Sequence, residues 1–279
     1  MSVDRILLTN DDGIDAVGLR AMYDALSAEY EVVTVAPTGD RSSIGRALSD
    51  EVDVASHELG YAVDGTPVDC VVAGLDELVP DADCVVAGCN KGANLGSYVL
   101  GRSGTVSAAV EAAFFDVPAV AASMYVPGDH PGWRQRELRP ERFDNAVLAT
   151  RYLVNAAFDA DVFETADYLN VNAPMADDGE TGAGAPMRAT TPSDWYGMTA
   201  DHREGDEAPD GSRRIGFDDP IWGRMTPEAV PDEVGTDRRA VVDGEVSVSP
   251  LTVPHGTDEN GTLGELVERY DGNGRIPGR

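Results

Sequence analysis

The sequence predicts an α/β protein built on a mostly parallel sheet with helices on both faces. Two observations carry that expectation. Short runs rich in Val, Ile, Leu and Ala recur along the first half of the chain, and they are apolar almost throughout rather than at every second residue. Between them lie segments whose apolar residues fall at helical spacing. Strands buried on both faces and joined by amphipathic helices are the signature of parallel βαβ units.

Residues 5–9, "RILLT", form the first predicted strand. A helix follows over 18–30, with Leu19, Met22 and Leu26 on one face, and "EVVTVA" at 31–36 is the next strand. Thr66-Pro67 reads as an N-cap and first helical residue, opening a helix that runs to Leu78. "DCVVAG" at 83–88 is a third strand. Val106, Ala109, Val110, Ala113 and Phe114 share one face of a helix over 105–115, and "PAVAAS" at 118–123 is the strand after it. A helix over 141–158, a strand over 168–174 ("YLNVNAP") and an exposed Gly- and acid-rich loop over 175–186 come next. Residues 194–236 are rich in Gly, Pro, Asp and Arg, with Trp195 and Trp222 as isolated anchors, so they are expected to pack against something outside the core, such as a second subunit. "EVSVSPL" at 245–251 alternates like a late strand, and 263–270 is expected to end the chain as a helix.

Composition narrows the function classes. The 279 residues are enough for one large domain or a domain with an appendage. No apolar run reaches the roughly 18 residues of a membrane span, and the first residues lack a charged-then-apolar leader pattern, so a cytoplasmic location is expected. Fifty acidic residues against 21 basic ones give a formal charge of -29, and Lys91 is the chain's lysine. The acids are spread through periodic segments rather than gathered in a tail, which suits a folded protein solvated for concentrated salt. At about 1 M salt the screening length falls to about 3 Å and surface repulsion is damped. With no basic stripe to release counterions, a nucleic-acid duplex is not an expected partner. Cys70, Cys84 and Cys89 form no CxxC, and Cys70 and Cys84 read as buried apolar fillers.

Three loops leave the carboxyl ends of predicted strands, where open parallel sheets bind ligands. The first is Asn10-Asp11-Asp12-Gly13. Adjacent carboxylates repel unless a cation compensates, although one could instead cap the following helix. The second, at 36–49, offers Ser42 and Ser43 with Arg41 and Arg46. The third, at 88–109, is rich in glycine, places Asn90 directly after a strand, and ends in Ser103-Gly104-Thr105 at the start of the 105–115 helix, a natural phosphate site. Oxygen donors without His or Cys suit a hard ion, Mg²⁺ or Mn²⁺, rather than zinc.

These stretches resemble the successive signatures of the SurE family (survival protein E, a 5'/3'-nucleotidase): "ILLTNDDGIDAVGL", "VVTVAPTGDRSS", "VDGTPVDCV", "VVAGCNKGANLG", "SGTVSAAVEAAFFDVPAVAAS", "LNVNAP" and "GTDRRAVVDGEVSVSPL". The resemblance implies a Rossmann-like core over about 1–175 and 240–255, with a protruding interface segment over about 190–240 in a single 1–279 domain. It implies one divalent ion per subunit, held by Asp11, Asp12, Ser42 and Asn90. It also implies a phosphate site at Ser103, Gly104 and Thr105 with Asn94 nearby, and a homodimer or dimer of dimers. The implied reaction is hydrolysis of nucleoside monophosphates, with Asp11 or Asp12 orienting or deprotonating a water. Lys91 or Arg102 is expected to add positive charge near the phosphate, unless Lys91 simply offsets the local acids. The chain departs from the family's late "PLxxDxT" pattern, with Pro254 where an acid would stand, His255 beside it and Asp258 four residues on. A non-catalytic nucleotide-binding protein is the alternative from another class. A covalent aspartyl-phosphate enzyme would want DxD, and a dehydrogenase would want GxGxxG in the first turn; neither pattern is present there.

Overall fold

The computed structural model describes residues 3–128, 136–177, 184–202 and 214–253. A strand, β1 (Arg5–Thr9), leads through a turn to α1 (Val17–Leu26) and β2 (Glu31–Pro37). A hairpin follows, β3 (Val54–His57) and β4 (Gly60–Val63), and then α2 (Pro67–Ala73), which continues as a π-helical turn over Gly74–Leu78. Next come β5 (Cys84–Lys91), the single turn α3 (Ser97–Leu100), α4 (Gly104–Phe114) and β6 (Ala119–Tyr125). A 3₁₀ turn at Pro140–Phe143 enters α5 (Asp144–Asp159), followed by β7 (Tyr168–Pro174) and β8 (Met187–Ala189). Among the described residues the strands β9 (Thr199–His202) and β10 (Ile215–Asp218) pair only with each other, and α6 (Asp237–Val242) precedes β11 (Val246–Leu251).

Nine strands form one sheet in the order β3-β4-β2-β1-β5-β6-β7-β11-β8. From β4 to β7 every neighbouring pair is parallel; β3 against β4 and β11 against β7 are antiparallel. Side-chain alternation divides the core between the two faces. Ile6, Leu8, Cys84, Val86 and Val120 point with Leu19, Met22 and Val154 into the layer under α1 and α5. Leu7, Val35, Val85, Ala87 and Ala121 point with Val71, Val106 and Ala109 into the layer under α2 and α4. All three cysteines are buried and free, and burial pushes their thiols up.

The predicted strands at 5–9 and 168–174 match residue for residue, and the others agree within a few positions. Thr66 caps α2 as read from the sequence: its hydroxyl accepts from the Asp69 N–H (3.1 Å), while Asp69 accepts from the Thr66 N–H (2.7 Å), with Pro67 first in the helix. The first helix stops at Leu26 rather than Tyr30, where Ser27 donates its N–H to the Tyr23 carbonyl as the C-cap. Within 194–236, Ile221, Met225 and Val230 are buried with Leu95 and Tyr125 in a cluster apart from the two core layers, with Trp195 and Trp222 packed around them. The helix expected over 263–270 lies outside the described residues. Among those described, no helix is long and apolar enough to cross a membrane.

The chain reaches β2 on one side of β1 and, after the hairpin and α2, β5 on the other. That reversal opens a crevice between the carboxyl ends of β1 and β5.

Candidate active site at the carboxyl ends of the central strands

The turn after β1 is closed by Asn10, which is fully buried. Its amide Nδ2 donates to the Gly13 carbonyl (2.9 Å) and its Oδ1 accepts from the Gly13 N–H (3.2 Å). Gly13 has φ +104°, and a Cβ there would sit 3.1 Å from the Gly39 backbone, so the turn needs glycine both for its angle and for the loop after β2. That loop is tied in by the Arg41 N–H, which donates to the Asp11 carbonyl (2.7 Å).

The turn delivers two carboxylates into the crevice. Asp11 is 3% exposed and accepts from the Thr105 hydroxyl at 2.6 Å. Asp12 accepts from the Lys91 N–H at 2.7 Å. Each thus has one oxygen oriented by a protein donor. Burial pushes the Asp11 carboxyl up, against the pull of Thr105. Burial, and then the charge of Asp11, push Asp12 up to about 7, with the Lys91 N–H opposing. Two neighbouring carboxylates in so dry a position do not both ionise cheaply without a cation.

Asn90 lies next to the end of β5, where the pairing with β6 shifts register between Ala87 and Asn90. Its Nδ2 donates to the Gly92 carbonyl (2.6 Å), which leaves the amide oxygen as its uncommitted atom. Asn94 is held by an amide clamp from β7. Its N–H donates to Asn172 Oδ1 (2.7 Å), and its carbonyl accepts from both Asn170 (3.0 Å) and Asn172 (3.1 Å). Its own Nδ2 donates to Ser123 Oγ (2.9 Å). Ser103 caps α4, its hydroxyl accepting from the Val106 N–H (3.0 Å). Ser42, after β2, donates its hydroxyl (2.6 Å) and its N–H (2.7 Å) to Asp40.

Asp11, Asp12, Ser42, Asn90, Asn94 and Ser103 all line one cleft of ≈ 780 Å³, so the structure brings together residues from three separate loops. Gly104 and Thr105 lie behind Asp11 and do not line the cleft. A Cβ on Gly104 would fall 2.8 Å from Asp11 Cβ and 2.9 Å from Oδ2, so its glycine makes room for the carboxylate. Thr105, which the resemblance assigns to the phosphate, spends its hydroxyl on Asp11 and turns its N–H there too. Lys91 offsets the acids through its N–H, while its ammonium donates to the Arg136 carbonyl. Pro254, His255 and Asp258 lie outside the described residues.

Several cleft residues went unnoticed in the sequence. Asp40 lines the wall beside Ser42, and its charge acts on both aspartates. Tyr98, Met198, Asp219 and Trp222 complete the outer wall. Asp40 had a signal in its place, directly after the second strand; the others arrive through tertiary packing that no spacing encodes.

The donor chemistry fits a hard divalent ion. Asp12 keeps an oxygen outside the hydrogen bonds above, Asn90 keeps its amide oxygen and Ser42 its hydroxyl lone pairs, and the raised carboxyls of Asp11 and Asp12 call for a positive charge. Among the described residues no group of three or more His, Cys, Asp or Glu could hold a metal ion, so Ser and Asn oxygens would have to complete the set.

The family model for survival protein SurE matches residues 6–195. The chain is 56% identical to the 5'-nucleotidase SurE of Natronomonas pharaonis, over 95% of this chain and 99% of that protein. It is 54% identical to the 5'-nucleotidase SurE of Haloquadratum walsbyi, over 95% and 96%. The crystal structure of the SurE protein from Aquifex aeolicus superposes with a TM-score of 0.72 at 27% identity, covering 95% of this chain and 98% of that one.

Proposed function

The chain belongs to the SurE family, and from that premise we propose that it is a metal-dependent phosphomonoesterase. It hydrolyses nucleoside 5'-monophosphates, with 3'-monophosphates as second substrates, to nucleoside and phosphate. The observation that carries the reading is the adjacent pair of raised carboxylates, buried Asp11 and half-buried Asp12, sharing a cleft with Ser42 and Asn90.

In this reading Asp11, Asp12, Ser42 and Asn90 hold one Mg²⁺ or Mn²⁺ ion. Such an ion supplies Lewis-acid polarisation of the phosphoester and a more acidic water. The chain's own residues do the positioning. Thr105 fixes the rotation of the Asp11 carboxylate, and the Lys91 N–H fixes that of Asp12, so both present a chosen oxygen before substrate arrives. With a cation held beside them both aspartates would be ionised, and Asp11 or Asp12 would orient the attacking water or take its proton. Asn94 and Ser103 form the phosphate end with the first turn of α4, whose positive dipole end stabilises developing charge. Thr105 serves that end through Asp11. Tyr98, Met198 and Trp222 give the cleft an outer wall of apolar surface wide enough for a nucleoside.

A homodimer accompanies the reading. The β9–β10 hairpin leaves Phe217 71% exposed and Ile215 46% exposed, a surface that suits a second copy of the chain. The acidic composition suits work in molar salt, in the cytoplasm.

The test is release of inorganic phosphate from a panel of nucleoside monophosphates in molar KCl, with Mg²⁺ or Mn²⁺ and then with chelator. Turnover that stops with chelator and returns with either ion is expected. Nucleotide binding without phosphate release, under any metal, would instead make the protein a nucleotide sensor.

A further inference from the structure

Arg102 differs from the described arginines that pair with an acid. Fifty acidic residues surround 21 basic ones, and Arg5, Arg20, Arg41, Arg46, Arg151 and Arg188 each pair with an Asp or Glu. Arg102 lines the cleft in the company of Asp11, Asp12, Asp40 and Asp219, and forms an ion pair with none of them. Its guanidinium instead lies over the ring of Tyr98, 4.2 Å from the centroid. Tyr98 is braced in turn by Tyr196, edge to face at 4.7 Å.

The backbone beneath is fixed as well. The Arg102 N–H donates to the Val99 carbonyl (2.9 Å), and the Arg102 carbonyl accepts from the Gly45 N–H (3.1 Å). Stacking leaves the guanidinium edges, with their five donors, open toward solvent and the cleft. Immediately after it comes Ser103, the cap of α4. The other cleft cation, Lys91, has its ammonium committed to a carbonyl.

We infer that Arg102 contacts the substrate, its guanidinium clamping oxygens of the phosphate at the outer edge of the cleft while Tyr98 holds it in place. The inference rests on the phosphomonoesterase reading and adds a residue to its substrate contacts. A planar fork already oriented by stacking loses little rotamer freedom on binding a phosphate bidentately. A contact of this kind also survives molar salt, where a screening length of about 3 Å removes long-range attraction.

The experiment compares wild type with Arg102→Gln and Tyr98→Leu, each loaded with Mn²⁺, on AMP and on p-nitrophenyl phosphate. A charge-assisted pair predicts a loss of about 10- to 100-fold in kcat/KM for Arg102→Gln, equal for the two substrates. Tyr98→Leu keeps the charge and is expected to lose about 3- to 5-fold. Inorganic phosphate, measured by calorimetry on the Mn²⁺-loaded protein, should bind about 10-fold more weakly to Arg102→Gln, while Mn²⁺ binding itself is unchanged. These losses should persist from about 0.3 to 3 M KCl.

A loss confined to AMP, or one that vanishes at high salt, overturns the phosphate clamp, as does unaltered phosphate binding. Wild type that releases no phosphate from any monoester defeats the phosphomonoesterase reading instead, and phosphate binding then still reports on Arg102.

Discussion

The two walls of the cleft are built in opposite ways. The inner wall, from the ends of β1 and β5 with the start of α4, is mostly buried, and most of its polar groups are tied down: Asn10 closes its own turn, Thr105 bonds Asp11, and Asn94 is clamped by Asn170 and Asn172. The outer wall, from the loop after β2 and from segments near 98–102 and 219–222, is half-buried or exposed. It offers an uncommitted guanidinium, rings and a serine bonded only to its near neighbour Asp40. Fixed donors and fixed carboxylates belong where the reacting atoms sit, because small displacements there are costly to the rate. The outer wall can adjust to what it holds. Substitutions on the inner wall should therefore damage turnover, and those on the outer wall should mainly weaken binding.

The sharpest way to break this contrast is Asp12→Asn. The amide keeps shape and volume but loses the negative charge that would hold a cation and the base that would accept a proton. Activity should fall on the order of 10³-fold or more at saturating Mn²⁺, with Mn²⁺ affinity also reduced and the circular dichroism spectrum unchanged. A folded variant retaining full activity would remove the aspartate pair from the chemistry.

Next in size is Gly104→Ala, a probe of fit alone. The new methyl would meet Asp11 Cβ at 2.8 Å, a contact that no flexible side-chain tip can relieve, so α4 or the first turn must shift. A stability loss of about 1–3 kcal/mol is expected by thermal unfolding. A fall of about 10- to 100-fold in kcat should come with it, since Asp11 moves. Stability lost with kcat intact would mean that the inner wall tolerates displacement.

The pH dependence of metal binding follows from Asp12. Its carboxyl is raised from 3.8 to about 7, so in chelator its ionisation opposes folding: the favourable contribution is complete below about 3.8 and is lost as pH rises through about 7. A bound cation reverses that preference, and binding must release the proton. The rise in Tm produced by Mn²⁺ should therefore grow between about pH 5.5 and 8. A Tm increment flat across that range would mean that Asp12 is ionised without the ion.

Much of the inner wall was legible in the sequence because local chemistry makes it. A buried strand ending in Asn-Asp-Asp-Gly, an Asn directly after a second strand, and Ser-Gly-Thr opening a helix are each read within a few residues. The roles were less legible than the places. Gly104 and Thr105 look like a phosphate cradle in sequence, yet they shape and orient Asp11, a partner more than ninety positions away. The edge hairpin β3–β4 escaped notice because β3 is mostly exposed and lacks an apolar run. Trp222 and Met198 reach the cleft because their segment packs onto Leu95 and Tyr125, a long-range contact with no periodic trace.

The smallest expected effect tests the outer wall at its most polar point. Ser42 is half-buried, and both its hydroxyl and its N–H donate to Asp40. Removing the hydroxyl in Ser42→Ala leaves the N–H contact, so the loop should keep its path and the fold its stability within about 0.5 kcal/mol. In the proposed ion site, what would be lost is one neutral ligand among four, beside two carboxylates that would supply the charge. The Mn²⁺ concentration for half-maximal activity should rise about 3- to 10-fold while kcat at saturating Mn²⁺ stays within about 2-fold of wild type. A fall in kcat as deep as that of Gly104→Ala would place Ser42 with the fixed inner groups despite its exposure, and the division between the two walls would then follow chemistry rather than burial.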